Sequence, residues 1–151
     1  MKVAIIGTGN MGSGLASALA SAGHEISIGA LDLVKAAALA NTIGHGAVGG
    51  GILAAAKLAD VVILALPYGA MADVIKLAEG LAGKVVVDIS NPISADYQEL
   101  VIGHTTSAAE EIQKLAPQAH VVKAFNTIFA QLLAPEARQG KTLQVFVAGD
   151  D

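Results

Sequence analysis

Short runs of β-branched apolar residues alternate along this chain with longer segments rich in Ala and Leu, the way strands of a parallel sheet alternate with crossover helices. The runs Lys2 to Ile6, Glu25 to Gly29, Val61 to Leu66, Lys84 to Ile89, His120 to Ala124 and Leu143 to Ala148 are predicted strands. Between them, Asn10 to Ala22, Asp32 to Asn41, Gly69 to Gly80 and Thr105 to Leu115 are long enough for Ala-rich helices. Gly23 and Gly44 stand where the first two helices need a left-handed cap. The stretch Gly44 to Gly51 holds five glycines and is expected to contain a short third strand around Ala47 and Val48.

The pattern predicts an α/β fold, a Rossmann-type doubly wound parallel sheet with helices on both faces, formed by residues 1–151 as one dinucleotide-binding domain. No repeat or Pro/Ser-rich linker interrupts it. The last predicted strand is followed at once by Asp151, where such a domain ordinarily continues into a covering helix. Two expectations follow: a boundary cutting off a helical segment, or a second copy of the chain that covers the face as a homodimer.

Composition narrows the function classes. With 151 residues, 54% of them hydrophobic, the chain can bury about 68% of its extended surface, enough for a real core. The absence of cysteine excludes a disulfide scaffold and a zinc–cysteine site. The longest apolar stretch, Ile52 to Leu66, is broken by Lys57 and Asp60 and is too short to span a bilayer. No signal peptide is read at the N-terminus, so a cytoplasmic location is expected. A net charge of −4, 3% aromatics and no cluster of Lys and Arg leave no footprint for nucleic acid. The four histidines show no ligand spacing, and no metal site is expected.

The chemistry is concentrated in Gly7-Thr8-Gly9-Asn10-Met11-Gly12, a G-x-G-x-x-G string that follows a predicted strand, opens a helix and precedes a second strand. That context is what the dinucleotide fingerprint requires. Gly7 permits the tight turn, Gly9 lets the backbone approach a pyrophosphate, and Gly12 lets the helix pack close to the strand. The ligand's charge is met by the N–H groups at the helix N-terminus, so no lysine is needed there.

The choice between NAD(H) and NADP(H) is read at the end of the second strand, here Gly29-Ala30-Leu31-Asp32. Asp32 either accepts from a ribose hydroxyl or caps the next helix. Lys35 either reaches a 2′-phosphate or is a solvated helix lysine. Three further loops face the same crevice. They are Leu66-Pro67-Tyr68, Ser90-Asn91-Pro92 and Ala124-Phe125-Asn126-Thr127. Each has a plainer role open to it: prolines as strand stoppers, Tyr68 as a cover over the core, Thr127 as a helix cap, Asp88 as a tie on the Asn91 loop. No catalytic acid, base or nucleophile stands out, as suits a hydride transfer in which the cofactor makes the bonds.

These strings resemble one family, the coenzyme F420-dependent NADP oxidoreductases. The likeness runs through Val3 to Gly12, Ala65 to Tyr68, Val87 to Ile93, Val122 to Ile128 and Val147 to Asp151. It implies hydride exchange between NADPH and a deazaflavin or flavin-like small-molecule acceptor. It further implies that Thr8, Asn10 and Met11 line the pyrophosphate and nicotinamide, and that Pro67, Asn91 and Ala124 line the ring pocket. The family usually carries a Ser/Asn-Arg pair where this chain has Ala30-Leu31. Other readings are a reductase of a small imine or keto acid, and a non-catalytic dinucleotide-binding or redox-sensing module.

Overall fold

The computed structural model describes residues 1–150; Asp151, the end of the last string above, lies outside the described residues. The first unit is the one the glycine string announces: β1 (Lys2–Ile6), α1 (Asn10–Ser21) and β2 (Glu25–Gly29). It continues through α2 (Leu33–Ile43), β3 (Val48–Gly50), α3 (Ile52–Leu58), β4 (Val61–Leu64), α4 (Met71–Leu77), β5 (Val85–Asp88), α5 (Ala108–Leu115), β6 (His120–Ala124) and β7 (Val147–Ala148). Short 3₁₀ turns at Tyr68–Ala70, Ala130–Leu133 and Pro135–Arg138 complete the chain.

The strands form one sheet in the order β3-β2-β1-β4-β5-β6-β7, with the first six parallel and β7 antiparallel to β6. This is the doubly wound order, and it reverses direction between β1 and β4, the switch point beyond whose strand carboxyl ends open α/β sheets bind their ligands. Neighbouring residues of β1 feed opposite cores, because side chains alternate across a strand. Ala4 and Ile6 pack with Val62, Leu64 and Val86 under α3, α4 and α5. Val3 and Ile5 pack with Ile28, Ile63 and Val87 under α1 and α2. Ile5, Ile6, Ile28 and Leu64 are fully buried, each worth about 1.5–3 kcal/mol over its exposed state.

Several expectations are corrected. The Ala-rich helix α3 lies inside the apolar run that begins at Ile52, which periodicity cannot divide because Ile52, Ala55 and Ala56 are buried and β4 follows almost at once. The third strand lies at Val48–Gly50, and its Gly49 has a packing reason. A Cβ on Gly49 would stand 2.2 Å from the Ala36 carbonyl oxygen, so α2 rests directly on the strand backbone. Gly23 and Gly44 do adopt positive φ, +85° and +66°. The helix expected from Gly69 shortens to α4 behind a 3₁₀ turn. The one expected from Thr105 begins at Ala108, where Ser107 and Glu110 form a capping box. The last strand is a two-residue antiparallel pairing rather than a sixth parallel strand over Leu143 to Ala148. Among the described residues no helix is long and apolar enough to cross a membrane.

Candidate functional site in the crevice

The turn from β1 into α1 is built on two close approaches. Gly7 sits at φ +118° and donates its N–H to the Gly29 carbonyl at 2.9 Å, while a Cβ there would meet the Ala65 carbonyl oxygen at 2.3 Å. Gly12 lies equally close to its neighbour, since a Cβ on it would stand 2.3 Å from the Gly7 carbonyl oxygen. Gly9 differs from both. Its backbone is extended, at φ −76° and ψ −178°, and a Cβ on it would have nothing within 4 Å. Gly9 is exposed, and the space over it is open, so nothing in the fold itself requires a glycine there.

Gly9 is also the N-cap of α1, and no side chain caps that end. The first bond of the helix runs from the Ser13 N–H to the Gly9 carbonyl at 2.9 Å, so the amides of Asn10, Met11 and Gly12 precede it. With no acidic side chain in this first turn, the positive end of the helix is available to an anion. Thr8 and Met11 are half-buried beside it, Met11 against the core under α1, and Asn10 is exposed.

At the β2 side Asp32 takes the capping role. Its Oδ1 accepts from the Val34 and Lys35 amides at 3.0 and 3.1 Å, so the carboxylate caps α2. Lys35 lies 3.8 Å from Asp32 with its side chain 73% exposed, and Leu31 is exposed at the same rim. Ala30 is half-buried, its N–H bonded to the Gly50 carbonyl at 3.1 Å.

On the other side of the switch point the loops after β4, β5 and β6 come together. Pro67 is exposed, and Leu66 and Tyr68 are half-buried against the core under α4, so Tyr68 does cover the core. Asn91 and Asn126, 35 residues apart, pair side by side. The Asn91 Nδ2 donates to the Asn126 carbonyl at 3.0 Å, and the Asn126 Nδ2 donates to Asn91 Oδ1 at 3.3 Å. Pro92 is half-buried, Ala124 buried, and Phe125 between Ala124 and Asn126 adopts φ +61°. Thr127 is not a helix cap, since the following 3₁₀ turn is entered from Phe129.

Beneath the amide pair lies the expected tie through Asp88, with a partner the sequence did not reveal, Lys123. Asp88 and Lys123 are register partners in β5 and β6, and Lys123 Nζ lies 2.7 Å from Asp88 Oδ2. The Asp88 side chain is wholly buried. Its Oδ1 accepts from the Ser90 N–H at 2.8 Å, and Lys123 also donates to the Ser90 carbonyl. The suspected tie on the Asn91 loop is therefore real. The signal in the sequence was one charge at the end of each of two apolar runs, at positions that pair only once the strand order is known.

Residues 2–92 match the family described as NADP oxidoreductase, coenzyme F420-dependent. An F420-dependent NADP reductase of Methanothermobacter marburgensis is 37% identical over an alignment that covers 88% of this chain and 66% of that protein. The metalloreductase STEAP3 of Rattus norvegicus is 31% identical over 99% of this chain but only 29% of its own length. The chain thus spans less than two thirds of the rat protein and just under two thirds of the archaeal one. A crystal structure from Arthrobacter sp. FB24, provisionally described as an F420-dependent NADP-reductase, superposes with a TM-score of 0.88 at 34% identity, covering 100% of this chain and 74% of the other.

Proposed function

This chain belongs to the family of coenzyme F420-dependent NADP oxidoreductases, and from that premise we propose that it binds NADP(H) and exchanges hydride with a deazaflavin or flavin-like acceptor. The observation that carries the reading is the glycine turn into the unblocked N-terminus of α1, with open space over Gly9. That end suits a pyrophosphate, whose charge the amides of Asn10, Met11 and Gly12 would meet. When bound, the nicotinamide supplies a hydride, so the protein needs no acid or base of its own.

The chain's own residues bind and orient. With the pyrophosphate at α1, the adenosine half runs toward β2, where Ala30, Leu31 and Lys35 form the rim. The other half runs toward Leu66, Pro67, Tyr68, Asn91, Pro92, Ala124 and Asn126. Asp32 is tied to two amides of α2, and the lysine beside it is the cation at hand for a 2′-phosphate. That lysine is the feature that favours NADP(H) over NAD(H).

The test is a calorimetric titration with NADPH and with NADH, followed by mixing the NADPH complex with a deazaflavin and recording its absorbance. Tighter binding of NADPH with bleaching of the deazaflavin supports the reading; failure to bind either nucleotide overturns it. A second reading rests on the match to a metalloreductase across nearly the whole chain. It keeps the NADPH half and replaces the deazaflavin by an acceptor that passes electrons to a metal ion. It predicts NADPH-dependent reduction of a ferric chelate with added flavin and no reaction with the deazaflavin.

A further inference from the structure

We infer that Lys123 is a positioning residue for the nicotinamide half of the dinucleotide. Its ammonium locks the loops after β5 and β6 together and so presents the Asn91–Asn126 amide pair ready-formed. The inference rests on the functional reading above and adds a residue that touches neither the ligand nor the glycine turn.

The two loops are tied twice. The lower tie is ionic: Lys123 Nζ bridges Asp88 Oδ2, at 2.7 Å, and the Ser90 carbonyl, while the Ser90 N–H returns to Asp88 Oδ1 at 2.8 Å. These bonds close a ring that holds Ser90 from both its N–H and its carbonyl. The upper tie is the amide pair, one residue beyond Ser90 on one loop and three beyond Lys123 on the other. Phe125 lies between the ties on its loop and is held at φ +61°, a conformation that a phenylalanine keeps only when its surroundings impose it.

Stability alone does not account for a wholly buried carboxylate here. Desolvating two charges generally cancels what their attraction gains, and an apolar pair of the same size would serve a sheet as well. What the ion pair supplies is direction, since an apolar pair would not fix the Ser90 backbone. The amide pair then offers defined chemistry. Each side-chain amide has two N–H donors, and the pairing uses one of each, leaving one N–H on Asn91, one on Asn126 and the side-chain oxygen of Asn126. A carboxamide, with one acceptor and two donors, complements that set. Only the ring end of the dinucleotide bears one, and its adenosine half lies toward β2, on the far side of the switch point.

The test separates ring recognition from general folding by comparing two ligands. The intact chain is titrated with NADPH and with 2′-phospho-ADP-ribose, which lacks the nicotinamide ring. The proteins compared are wild type, Lys123→Met, Lys123→Arg and the double variant Asp88→Asn/Lys123→Met. The double variant removes both charges, so its fold does not depend on an unpaired carboxylate. For Lys123→Met and for the double variant, affinity for NADPH should fall about tenfold, the worth of a misplaced hydrogen bond, with 2′-phospho-ADP-ribose unaffected. Lys123→Arg should recover most of the loss. Equal weakening of both ligands, or no weakening in the folded double variant, overturns the positioning role while leaving the functional reading intact. A wild-type chain that binds neither ligand overturns both.

Discussion

Gly7 at the end of β1 and Ala65 just past β4 meet backbone to backbone, so closely that a single added Cβ on Gly7 would stand 2.3 Å from the Ala65 carbonyl oxygen. The contact sits at the switch point itself, and neither backbone can yield easily, because the Ala65 N–H is bonded to Ile6 and the Gly7 N–H to Gly29. Gly7→Ala therefore adds a steric clash to a φ of +118° that alanine resists. Such a change should cost about 2–4 kcal/mol. Thermal unfolding of the variant should begin on the order of 10 °C earlier. An unchanged melting temperature would contradict the packing described.

Gly9→Val should behave in the opposite way. The backbone there is extended and the space beyond it empty, so the variant should fold and melt like wild type. Its side chain would fill that space at the start of α1, and affinity for NADPH should drop by about a hundredfold. Melting curves with and without nucleotide check both halves at once: the ligand-induced rise expected of wild type should be absent in the variant.

On the proposed binding mode, Leu31 and Lys35 at the β2 rim make the cofactor preference adjustable. Leu31 is 77% exposed, so an arginine can replace it without disturbing the core. Leu31→Arg should tighten NADPH by about tenfold and leave NADH nearly unchanged, since only NADPH carries the 2′-phosphate that a guanidinium grips bidentately. Lys35→Ala should weaken NADPH by about threefold, a modest loss because the lysine is solvated. Parallel titrations with the two nucleotides decide the matter, and equal changes for both would rule out a 2′-phosphate subsite at this rim.

The start of α5 gives a pH signature. The Ser107 hydroxyl and backbone N–H both bond Glu110, and they hold its carboxyl below the usual 4.5. Glu111 is also lowered, by its bond to Lys114 and then by that to Thr106. A lowered folded-state value means that the stabilisation is present above pH 4.5 and is lost as acid titrates the folded carboxylate. Glu110→Ala should therefore melt below wild type at pH 7. The gap between them should narrow as the pH is taken down below 4.5. A gap that does not narrow with acid would mean that the charged capping box is not its source.

Much of the β1–α1–β2 unit was readable in the linear chain because its rules are local. A glycine at the end of an apolar run, two more at fixed offsets and an Ala/Leu segment behind them define strand, turn and helix within about 30 residues. The β1–α1–β2 unit accordingly appears with its predicted strand bounds. Where the local signal was ambiguous the reading stopped short. Helix α3 vanished into a continuous apolar run, and Asp32 had two roles that only its hydrogen bonds separate.

By itself, then, the amino-acid order determined the fold class, the glycine turn and the loops that border the crevice, since each follows from backbone freedom, hydrophobic period and turn chemistry within a short window. The tertiary structure alone decided that Asp88 meets Lys123 and that Asn91 meets Asn126. It also decided that the last strand turns back antiparallel against β6. Those pairings join residues far apart in the chain, and nothing short of the strand order and register brings them within hydrogen-bonding distance.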